Sequence, residues 1–396
     1  MGGAWAPQPF ALARLIVRSL AFDDRASPGD ESPDAVLVAT TLPNSMDITD
    51  IPVEGYERVA RCRDEASGLH ALIAVHDTTL GPSLGGMRFW NYGSEDEALV
   101  DVTRLARGMT YKSAVADTGL GGGKSVIIGD PAKMKSPALF EAMGRFIEDF
   151  GGSYITAEDM NIGIADLRHV KKTTRHVTGL SRAEGGSGNP SPYTAYGCVV
   201  GIEAAAEWRY GSRDLSGKHV LLQGVGAVGG EMARLLKERG ARVTICDIRD
   251  EHVARLCAEH GYESVDDLVH LDVDCDIYAP CARGAGINDE TIPKLTCDII
   301  AGCANNMLHE PRHGEVLRQK GILYAPDYVV NAAGIINVAA ERLPGGYDED
   351  AAMGRINRIA DNLREVFELA EAEGVATNRA AEHLAEKRIA AAKQLC

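Results

Sequence analysis

Two lysines lie close together in the chain, within segments rich in glycine. Lys112 ends the run Gly108-Met109-Thr110-Tyr111-Lys112, and Lys124 follows twelve residues later, directly after Gly121-Gly122-Gly123. Two ammonium groups brought together lower each other's pKa, so that one of them can act as a neutral base near pH 7. The glycines let the backbone crowd around Lys124 and shield it from water, which acts in the same direction. The pattern predicts that Lys124 handles protons in a reaction on a small anionic substrate.

A glycine fingerprint stands later in the chain, at Gly224-Val225-Gly226-Ala227-Val228-Gly229. An apolar strand precedes it, an amphipathic helix follows, and the next strand ends in Asp247. This context is typical of a dinucleotide site, where the first glycines admit the pyrophosphate to the helix N-terminus and the third lets helix and strand pack closely. Asp247 is expected to accept hydrogen bonds from the adenosine ribose, which favours NAD over NADP. Arg249, two residues further on, is expected to weaken the preference for NAD over NADP.

The segment around Lys124 is easily mistaken for a nucleotide-binding P-loop. A P-loop needs a glycine five residues before Gly123, where this chain has Thr118. It also needs a helix after the lysine, whereas Ser125-Val126-Ile127-Ile128 is predicted to be a strand. The sequence therefore argues against a nucleotide hydrolase.

Carboxylate and amide side chains follow other predicted strands. Asp159 comes after the strand over residues 154–156 and is either a proton carrier or the N-cap of a helix over residues 162–170. Asn305 and Asn306 also follow a strand, and strand ends at the carboxyl edge of a doubly wound sheet face the cofactor crevice. These amides either bind a carboxylate or a ribose, or cap loops.

Composition shifts and periodicity divide the chain into four parts. Residues 1–45 lack a core pattern and are predicted to be a disordered extension. Residues 46–185 are predicted to form a substrate and catalytic domain, and a stretch rich in glycine, serine and proline over residues 180–193 is predicted to be the hinge. Residues 186–345 carry the fingerprint within alternating strands and helices, which predicts a parallel, doubly wound sheet. Residues 346–396 are predicted to be helices that pack back across the domains.

The composition excludes several classes of function. The formal net charge of −16 argues against a nucleic-acid or anionic-membrane partner, and no apolar run approaches the ~18 residues of a membrane span. The nine cysteines are scattered and contain no Cys-x-x-Cys pair. They predict a reducing cytoplasm, with neither a disulfide framework nor a metal site.

Several long motifs stand along the chain: Gly81-Pro82-Ser83-Leu84-Gly85-Gly86, the two lysine segments, Thr156-Ala157-Glu158-Asp159, Gly188-Asn189-Pro190-Ser191-Pro192, Tyr278-Ala279-Pro280-Cys281-Ala282, Ala304-Asn305-Asn306 and Tyr324-Ala325-Pro326-Asp327-Tyr328-Val329-Val330-Asn331. Read together, they resemble the amino-acid dehydrogenase superfamily of glutamate, leucine, phenylalanine and valine dehydrogenases, with the closest match to the leucine/valine branch. The resemblance covers residues 50–395. It implies an α/β fold in which a substrate domain and a Rossmann domain enclose a cleft. It also implies NAD-dependent, reversible oxidative deamination of an L-amino acid and a homo-oligomeric assembly.

The resemblance also implies roles for individual residues. Lys112 would hold the substrate carboxylate together with Asn306 and backbone at Gly85. Lys124 would be the general acid and base, and Asp159 would exchange protons with it. The nicotinamide end of the cofactor would be contacted by Thr194 and Asn305. The side-chain pocket would be lined by Leu84, Met109, Ala157, Ile335 and Val338, an aliphatic set that favours branched-chain substrates.

Two positions depart from the leucine/valine pattern and leave the substrate open. Ala333 stands where this branch usually has a glycine, and its methyl group is expected to narrow the pocket or shift Ile335. Asn161 also differs from the leucine type and resembles the residue that phenylalanine dehydrogenases have at this position. The alternatives are therefore an aromatic amino-acid dehydrogenase with the same mechanism and, more remotely, a non-catalytic NAD-binding sensor.

Overall fold

The computed structural model describes residues 46–282 and 284–394, and the predicted extension over residues 1–45 lies outside them. Within that part of the chain, two six-stranded sheets are covered by helices. This arrangement confirms the α/β fold class. The predicted domain boundaries at residues 185/186 and 345/346 stay predictions.

The first sheet has the order β1-β2-β3-β5-β4-β6. Its strands β1 to β3 and β5 pair antiparallel, whereas β4 runs parallel to both β5 and β6. The strands are β1 Asp47–Asp50, β2 Arg58–Asp64, β3 Leu69–Asp77, β4 Ser83–Trp90, β5 Gly121–Ile128 and β6 Tyr154–Glu158.

The pattern of residues 57–78 predicts two strands around a turn, and the antiparallel pair β2–β3 confirms this prediction, but β4 lies where no strand is predicted. β4 contains Gly85 and Gly86, which have low intrinsic preference for strands. It forms because it lies between β5 and β6, which supply backbone partners on both sides. The parallel core of the sheet thus comes from contacts distant in sequence.

The second sheet is entirely parallel and has the order β12-β11-β10-β7-β8-β9. The two central strands of this sheet are β7 and β10, which are its first and fourth strands in the order of the chain. This is the strand order of dinucleotide-binding folds. Ligands of such sheets bind where the strand order reverses, at the carboxyl ends of the two central strands. The strands are β7 His219–Gln223, β8 Arg242–Cys246, β9 Glu263–Ser264, β10 Ile277–Pro280, β11 Ile299–Ile300 and β12 Leu323–Tyr324.

Thirteen α-helices lie within the described residues: α1 Glu95–Val115, α2 Pro131–Met134, α3 Pro137–Glu148, α4 Ile164–Lys171, α5 Ser191–Tyr210, α6 Ala227–Glu238, α7 Asp250–His260, α8 Arg312–Lys320, α9 Asp327–Val330, α10 Ala333–Ala339, α11 Glu349–Asn357, α12 Ile359–Glu373 and α13 Thr377–Lys393. None of the helices in this part of the chain is long and apolar enough to cross a membrane.

Helix α1 begins and ends on signals that the sequence carries. The Ser94 hydroxyl accepts a hydrogen bond from the Glu97 amide (3.1 Å), and acidic residues occupy the first turn, where the helix dipole favours them. The last turn carries Lys112, and Gly119 follows with a positive φ of 72°. The chain therefore turns directly from Lys112 into β5 and brings Lys124 back beside it.

The last helix packs against the first half of the chain. Helix α13 contacts α1 and α12, and α12 contacts α5. Arg388 of α13 donates hydrogen bonds to the carbonyl oxygens of Ala114 (3.2 Å) and Val115 (2.6 Å) at the end of α1. This guanidinium supplies partners to carbonyls that a helix end leaves unsatisfied.

Candidate active site

Lys124 and Asp159 form a buried ion pair. Lys124 lies on β5 with 6% of its surface exposed, and its Nζ contacts Oδ2 of Asp159, the residue after β6. Burial alone would raise the pKa of Asp159, but the charges of Lys124 and Arg88 outweigh it and lower the pKa below its ordinary value. The carboxylate therefore stays ionised against the ammonium group.

Asp159 is not a helix N-cap, so that alternative from the sequence is wrong. Helix α4 begins at Ile164, with Gly163 as its N-cap, and Asp166 accepts from the Gly163 amide (3.1 Å). Asp159 Oδ1 instead accepts from the amide of Met160 (2.7 Å). This local hydrogen bond fixes the carboxylate in the direction of Lys124.

Arg88 supports this pair and was not predicted from the sequence. Its Nε lies 3.7 Å from Asp159 Oδ2, and its Nη1 donates to Asp101 of α1 (2.8 Å). The Tyr92 hydroxyl donates to the same Asp101 oxygen (2.7 Å). The available signal is an arginine within the otherwise uncharged stretch Ser83–Trp90. Arg88 lies beside the Asp159 carboxylate, and its charge helps to keep that group ionised.

Lys112 is the lysine whose pKa is clearly perturbed. Burial lowers its pKa to about 8, while the Asp327 carboxylate opposes the shift and the nearby Lys124 adds to it. Its Nζ donates a hydrogen bond to Oδ1 of Asn331 (2.6 Å). The two lysines therefore lie near each other, as their glycine-rich segments predict.

Asn331 connects the Lys112 ammonium to one of the predicted asparagines. Its Nδ2 donates to Asn305 Oδ1 (2.9 Å) and to the Cys303 carbonyl (3.2 Å). Asn306 has a positive φ of 51°, and its side chain is exposed rather than joined to this chain of hydrogen bonds. Asn331 is thus a further site residue, and its contact with Lys112 spans too much sequence to be read from spacing.

Glycines bring the strands and α1 close enough to assemble this cluster. A side chain at Gly85 would overlap the Gly123 carbonyl, and one at Gly122 would overlap the backbone of Thr110 in α1. These three glycines adopt ordinary strand conformations without positive φ. They are required for close approach between backbones, and the approach places β5 directly against α1.

The five predicted pocket residues belong to one apolar cluster. Leu84, Ile335 and Val338 are buried members, and Met109 and Ala157 pack against it. The methyl group of Ala333 is fully buried beside Gly197 of α5, where an added side chain would overlap it. The methyl group of Ala333 therefore lies in the contact between α10 and α5. In that position it gives no reason to expect the narrowed side-chain pocket that the sequence predicts.

The fingerprint glycines leave open space at the N-terminus of α6. Gly224 has a φ of 93°, and a side chain there would meet Ala282. Gly229 packs against the Gly224 carbonyl, whereas a Cβ at Gly226 would meet nothing within 4 Å. Gly226 is the N-cap of α6 and offers no side-chain cap, so the first amides of the helix stay available to an anion. Ala227 and Val228 begin the helix.

Asp247 follows β8 at the edge of a cavity of about 290 Å³, which Gly224, Gly226 and Arg249 also line. Its Oδ1 accepts from Arg249 Nε (2.8 Å), and its Oδ2 accepts from Arg249 Nη2 (2.9 Å) and from the Val225 amide (3.0 Å). The hydrogen bond with Arg249 is the main cause that lowers the pKa of Asp247 to about 2. The cavity, the open face at Gly226 and an ionised acid fit the phosphate and ribose of a dinucleotide.

Thr194 lies in the first turn of α5, where its hydroxyl donates to the Pro190 carbonyl (3.0 Å). A side chain at Gly334 would stand 2.9 Å from this hydroxyl. Thr194 therefore faces the start of α10, the helix that carries Ile335 and Val338. Its predicted contact with the nicotinamide stays a prediction.

Comparison with known proteins places these features in a family. Residues 56–176 match the family model of the Glu/Leu/Phe/Val dehydrogenase dimerisation domain. Residues 185–254 and 247–395 match the model of glutamate/leucine/phenylalanine/valine dehydrogenase. Together these matches span most of the chain.

Individual relatives are similar over nearly their whole length. A leucine dehydrogenase of Geobacillus stearothermophilus is 53% identical over 334 residues, which cover 84% of this chain and 90% of that protein. A valine dehydrogenase of Streptomyces virginiae is 43% identical over 344 residues, covering 86% and 95%. The solved L-tryptophan dehydrogenase from Nostoc punctiforme has a TM-score of 0.77 at 42% identity, covering 86% of this chain and 97% of that one. The chain therefore belongs to the Glu/Leu/Phe/Val dehydrogenase family and is an amino-acid dehydrogenase.

Proposed function

We propose that the protein catalyses the reversible, NAD-dependent oxidative deamination of a branched-chain aliphatic L-amino acid to its 2-oxo acid and ammonia. The observation that carries this proposal is the buried Lys124–Asp159 pair beside Lys112. One apolar site thus contains a pair that can exchange protons, Lys124 and Asp159, and a second ammonium group, that of Lys112. The similarity to leucine dehydrogenases of about half identical sequence supports the same activity.

Lys112 is proposed to bind the substrate carboxylate. Its ammonium is buried and already directed by Asn331, so an incoming carboxylate would form a charge-assisted hydrogen bond in a setting of low dielectric. Backbone at Gly85 and the exposed amide of Asn306 are proposed to contribute further donors. The α-amino group would then lie toward Lys124.

The cofactor is NAD, and the fingerprint turn would hold its pyrophosphate and Asp247 its adenosine ribose. When bound, NAD accepts a hydride from the substrate Cα. Thr194 and Asn305 are proposed to position the nicotinamide end. Because Arg249 already occupies both oxygens of Asp247, its guanidinium would have to move aside, at least in part, for ribose hydroxyls to donate there.

Lys124 and Asp159 are proposed to carry the protons. Lys124 would pass its proton to Asp159 and then take a proton from water as the oxygen attacks the iminium carbon of the oxidised substrate. It then returns that proton to the nitrogen of the resulting carbinolamine and accepts the proton of the hydroxyl group, so that ammonia leaves as the carbonyl forms. Asp159, kept ionised by Lys124 and Arg88, accepts and returns the proton that Lys124 gains. Amino acid, NAD⁺ and water thus give 2-oxo acid, ammonium, NADH and a proton.

The side-chain pocket supports an aliphatic substrate. Its five proposed lining residues, Leu84, Met109, Ala157, Ile335 and Val338, carry no charge that would pair with a glutamate side chain. A methylene more or less changes transition-state binding by only ~1–3 kcal/mol, so leucine, isoleucine and valine are all expected to react. An aromatic substrate is the second candidate, which the similarity to a tryptophan dehydrogenase favours.

We further propose that the protein is a cytoplasmic homo-oligomer. The match of residues 56–176 to a family model described as a dimerisation domain supports self-association through the first sheet. The eight cysteines within the described residues are all free, which fits a reducing compartment.

The test is NADH formation at alkaline pH with a panel of L-amino acids, each supplied with NAD or with NADP. We expect turnover with leucine, isoleucine and valine and little with glutamate, phenylalanine or tryptophan. A phenylalanine or tryptophan optimum would keep the mechanism and overturn the pocket assignment. No turnover with any member of the panel would contradict the proposed reaction.

A further inference from the structure

Three side chains with metal-binding atoms lie together beside the dinucleotide cavity. Cys246 ends β8, and Asp267 and His270 lie in the segment between β9 and β10. The Cys246 sulfur, a carboxylate oxygen of Asp267 and a ring nitrogen of His270 all lie within 4.8 Å of one another. Cys246 and His270 are buried, and Asp267 is half-buried. None of the three has a part in the proposed deamination.

The hydrogen bonds of His270 fix its tautomer. Its Nδ1 contacts the backbone carbonyl of Asp267, which can only accept, so Nδ1 carries the ring proton. In the neutral ring Nε2 then keeps its lone pair. A histidine whose second nitrogen donates to a carbonyl in this way has the arrangement typical of a metal ligand.

The Tyr278 hydroxyl is the hydrogen-bonding neighbour of His270 Nε2, and it also reaches Gln223. Nε2 lies 3.2 Å from the Tyr278 hydroxyl oxygen, but the hydroxyl proton is directed to Gln223 Oε1 (2.8 Å). Gln223 Nε2 in turn donates to Asp267 Oδ1 (2.9 Å). The network thus orients the histidine ring and the carboxylate, and both offer metal-binding atoms within 4.8 Å of the Cys246 sulfur.

We propose that Cys246, Asp267 and His270 form a binding site for a zinc-class divalent cation. Thiolate, imidazole and carboxylate are the ligands that zinc prefers, and three protein ligands with one open position form a common zinc site. The thiol proton leaves to solvent as the sulfur binds, so the thiolate and carboxylate together neutralise the charge of the cation. Zinc–ligand bonds of about 2.0–2.3 Å require the three atoms to close in by about 1 Å, which side-chain rotations supply.

The fourth position of the cation would face the dinucleotide cavity, since Asp267 lines that cavity together with Asp247 and Arg249. Water from the cavity would complete the tetrahedron. If the adenosine end of NAD occupies the same cavity, as the proposed function requires, the cation and NAD compete. The site would then make dehydrogenase activity sensitive to free zinc.

Cobalt(II) titration of the chelator-treated protein tests binding without reference to activity. We expect one equivalent of Co²⁺ to bind with the intense visible bands of tetrahedral cobalt and the near-ultraviolet band of a thiolate ligand. Cys246→Ser should abolish the thiolate band, and His270→Gln should weaken binding at least tenfold. The matched control is Cys257→Ser on α7, a half-buried thiol outside the cluster, which should leave the spectrum unchanged.

Each outcome decides the proposal. A weak, octahedral cobalt spectrum, or a thiolate band that survives Cys246→Ser, would overturn it. Circular dichroism of each variant shows whether lost binding reflects lost folding, and Asp267→Asn, which keeps the shape of the side chain, provides a second test. Fluorescence titration with NADH then tests competition. Zinc should raise the apparent Kd for NADH in the wild type and leave it unchanged in Cys246→Ser.

Cobalt binding without competition would keep the metal site and place the adenosine elsewhere. If the protein bound cobalt as expected but turned over no amino acid, the proposed reaction would fail and the metal site would stand.

Discussion

The two glycine-rich segments of the protein serve opposite physical purposes. In β5, Gly122 and Gly123 lie where any side chain would collide, because the strand packs directly against the backbone of α1 and against Tyr154. In the fingerprint turn, Gly226 borders open space. The first segment uses glycine to remove volume between parts of the protein, whereas Gly226 in the second leaves volume free for a ligand; Gly224 and Gly229 on either side of it are closely packed. Both read simply as glycine runs in the sequence, and only packing distinguishes them.

The comparison predicts that changes in the first segment affect chemistry or folding, and changes in the second affect cofactor binding. The largest expected effect is that of Lys124→Met, which removes the proposed proton carrier. Turnover should fall by about 10²–10⁴-fold, the range for general acid–base groups, while NADH affinity stays unchanged. Steady-state kinetics and fluorescence titration measure the two quantities. Lys133→Met, at an exposed lysine, is the control, and near-normal turnover of the Lys124 variant would refute its role.

Gly122→Ala should destabilise the fold, since the added methyl group overlaps the Thr110 backbone in α1. Overpacking of this kind costs about 1–3 kcal/mol of unfolding free energy. Urea denaturation measures the change. Gly108→Ala, on the same helix with nothing within 4 Å, should be neutral or stabilising, because alanine favours helices over glycine. Equal stability of the two variants would show that the close contact is not required.

Gly226→Ala should leave stability within about 0.5 kcal/mol, because its backbone conformation suits alanine and nothing lies near the added methyl. The methyl would occupy the space proposed for the pyrophosphate, so KM for NAD should rise about tenfold or more. Gly354→Ala on α11 also adds a methyl in open space, away from the cavity, and should change neither quantity. An unchanged KM for NAD would contradict the proposal that the pyrophosphate binds at this turn.

At neutral pH the smallest expected effect is the pH dependence of carboxylate binding at Lys112. Lys112 binds a carboxylate only when it is protonated, and its pKa is lowered to about 8. Affinity for a branched aliphatic carboxylate without an amino group should therefore be constant below pH 8 and fall above it, by up to about tenfold per pH unit. Inhibition constants between pH 6 and 10 measure this. Lys112→Arg should move the fall to higher pH, and a flat profile in the wild type would contradict the assignment.

The features that the sequence predicts correctly are carried by short segments. The β7–α6–β8 unit depends on local periodicity and turns, and it forms where its pattern predicts. The long motifs fix the family. By contrast, β4 escapes prediction because glycines weaken its pattern, and its formation depends on two strands that are distant in sequence.

The side-chain partners in the site are predictable only in part. Lys112 and Lys124 are marked by unusual local surroundings, but the Lys112–Asn331 hydrogen bond joins residues 219 positions apart. Arg88 reaches Asp159 only because β4 and β6 are neighbours in the sheet. The Cys246, Asp267 and His270 cluster likewise has no spacing motif, and the sequence predicts no metal there. Tertiary contacts of this kind become visible only in the folded chain.

The contact of α13 with α1 has a consequence for biosynthesis. The carbonyls at the end of α1, the helix that carries Lys112, find their partners on Arg388, which the ribosome adds more than 270 residues later. The first sheet can therefore form early during translation, but the helix that bears the substrate-binding lysine is secured only after residues 377–393 have been made. Because α13 also contacts α8 and β12 beside the second sheet, both halves of the protein gain their last contacts from the same helix, and catalytic competence is acquired last.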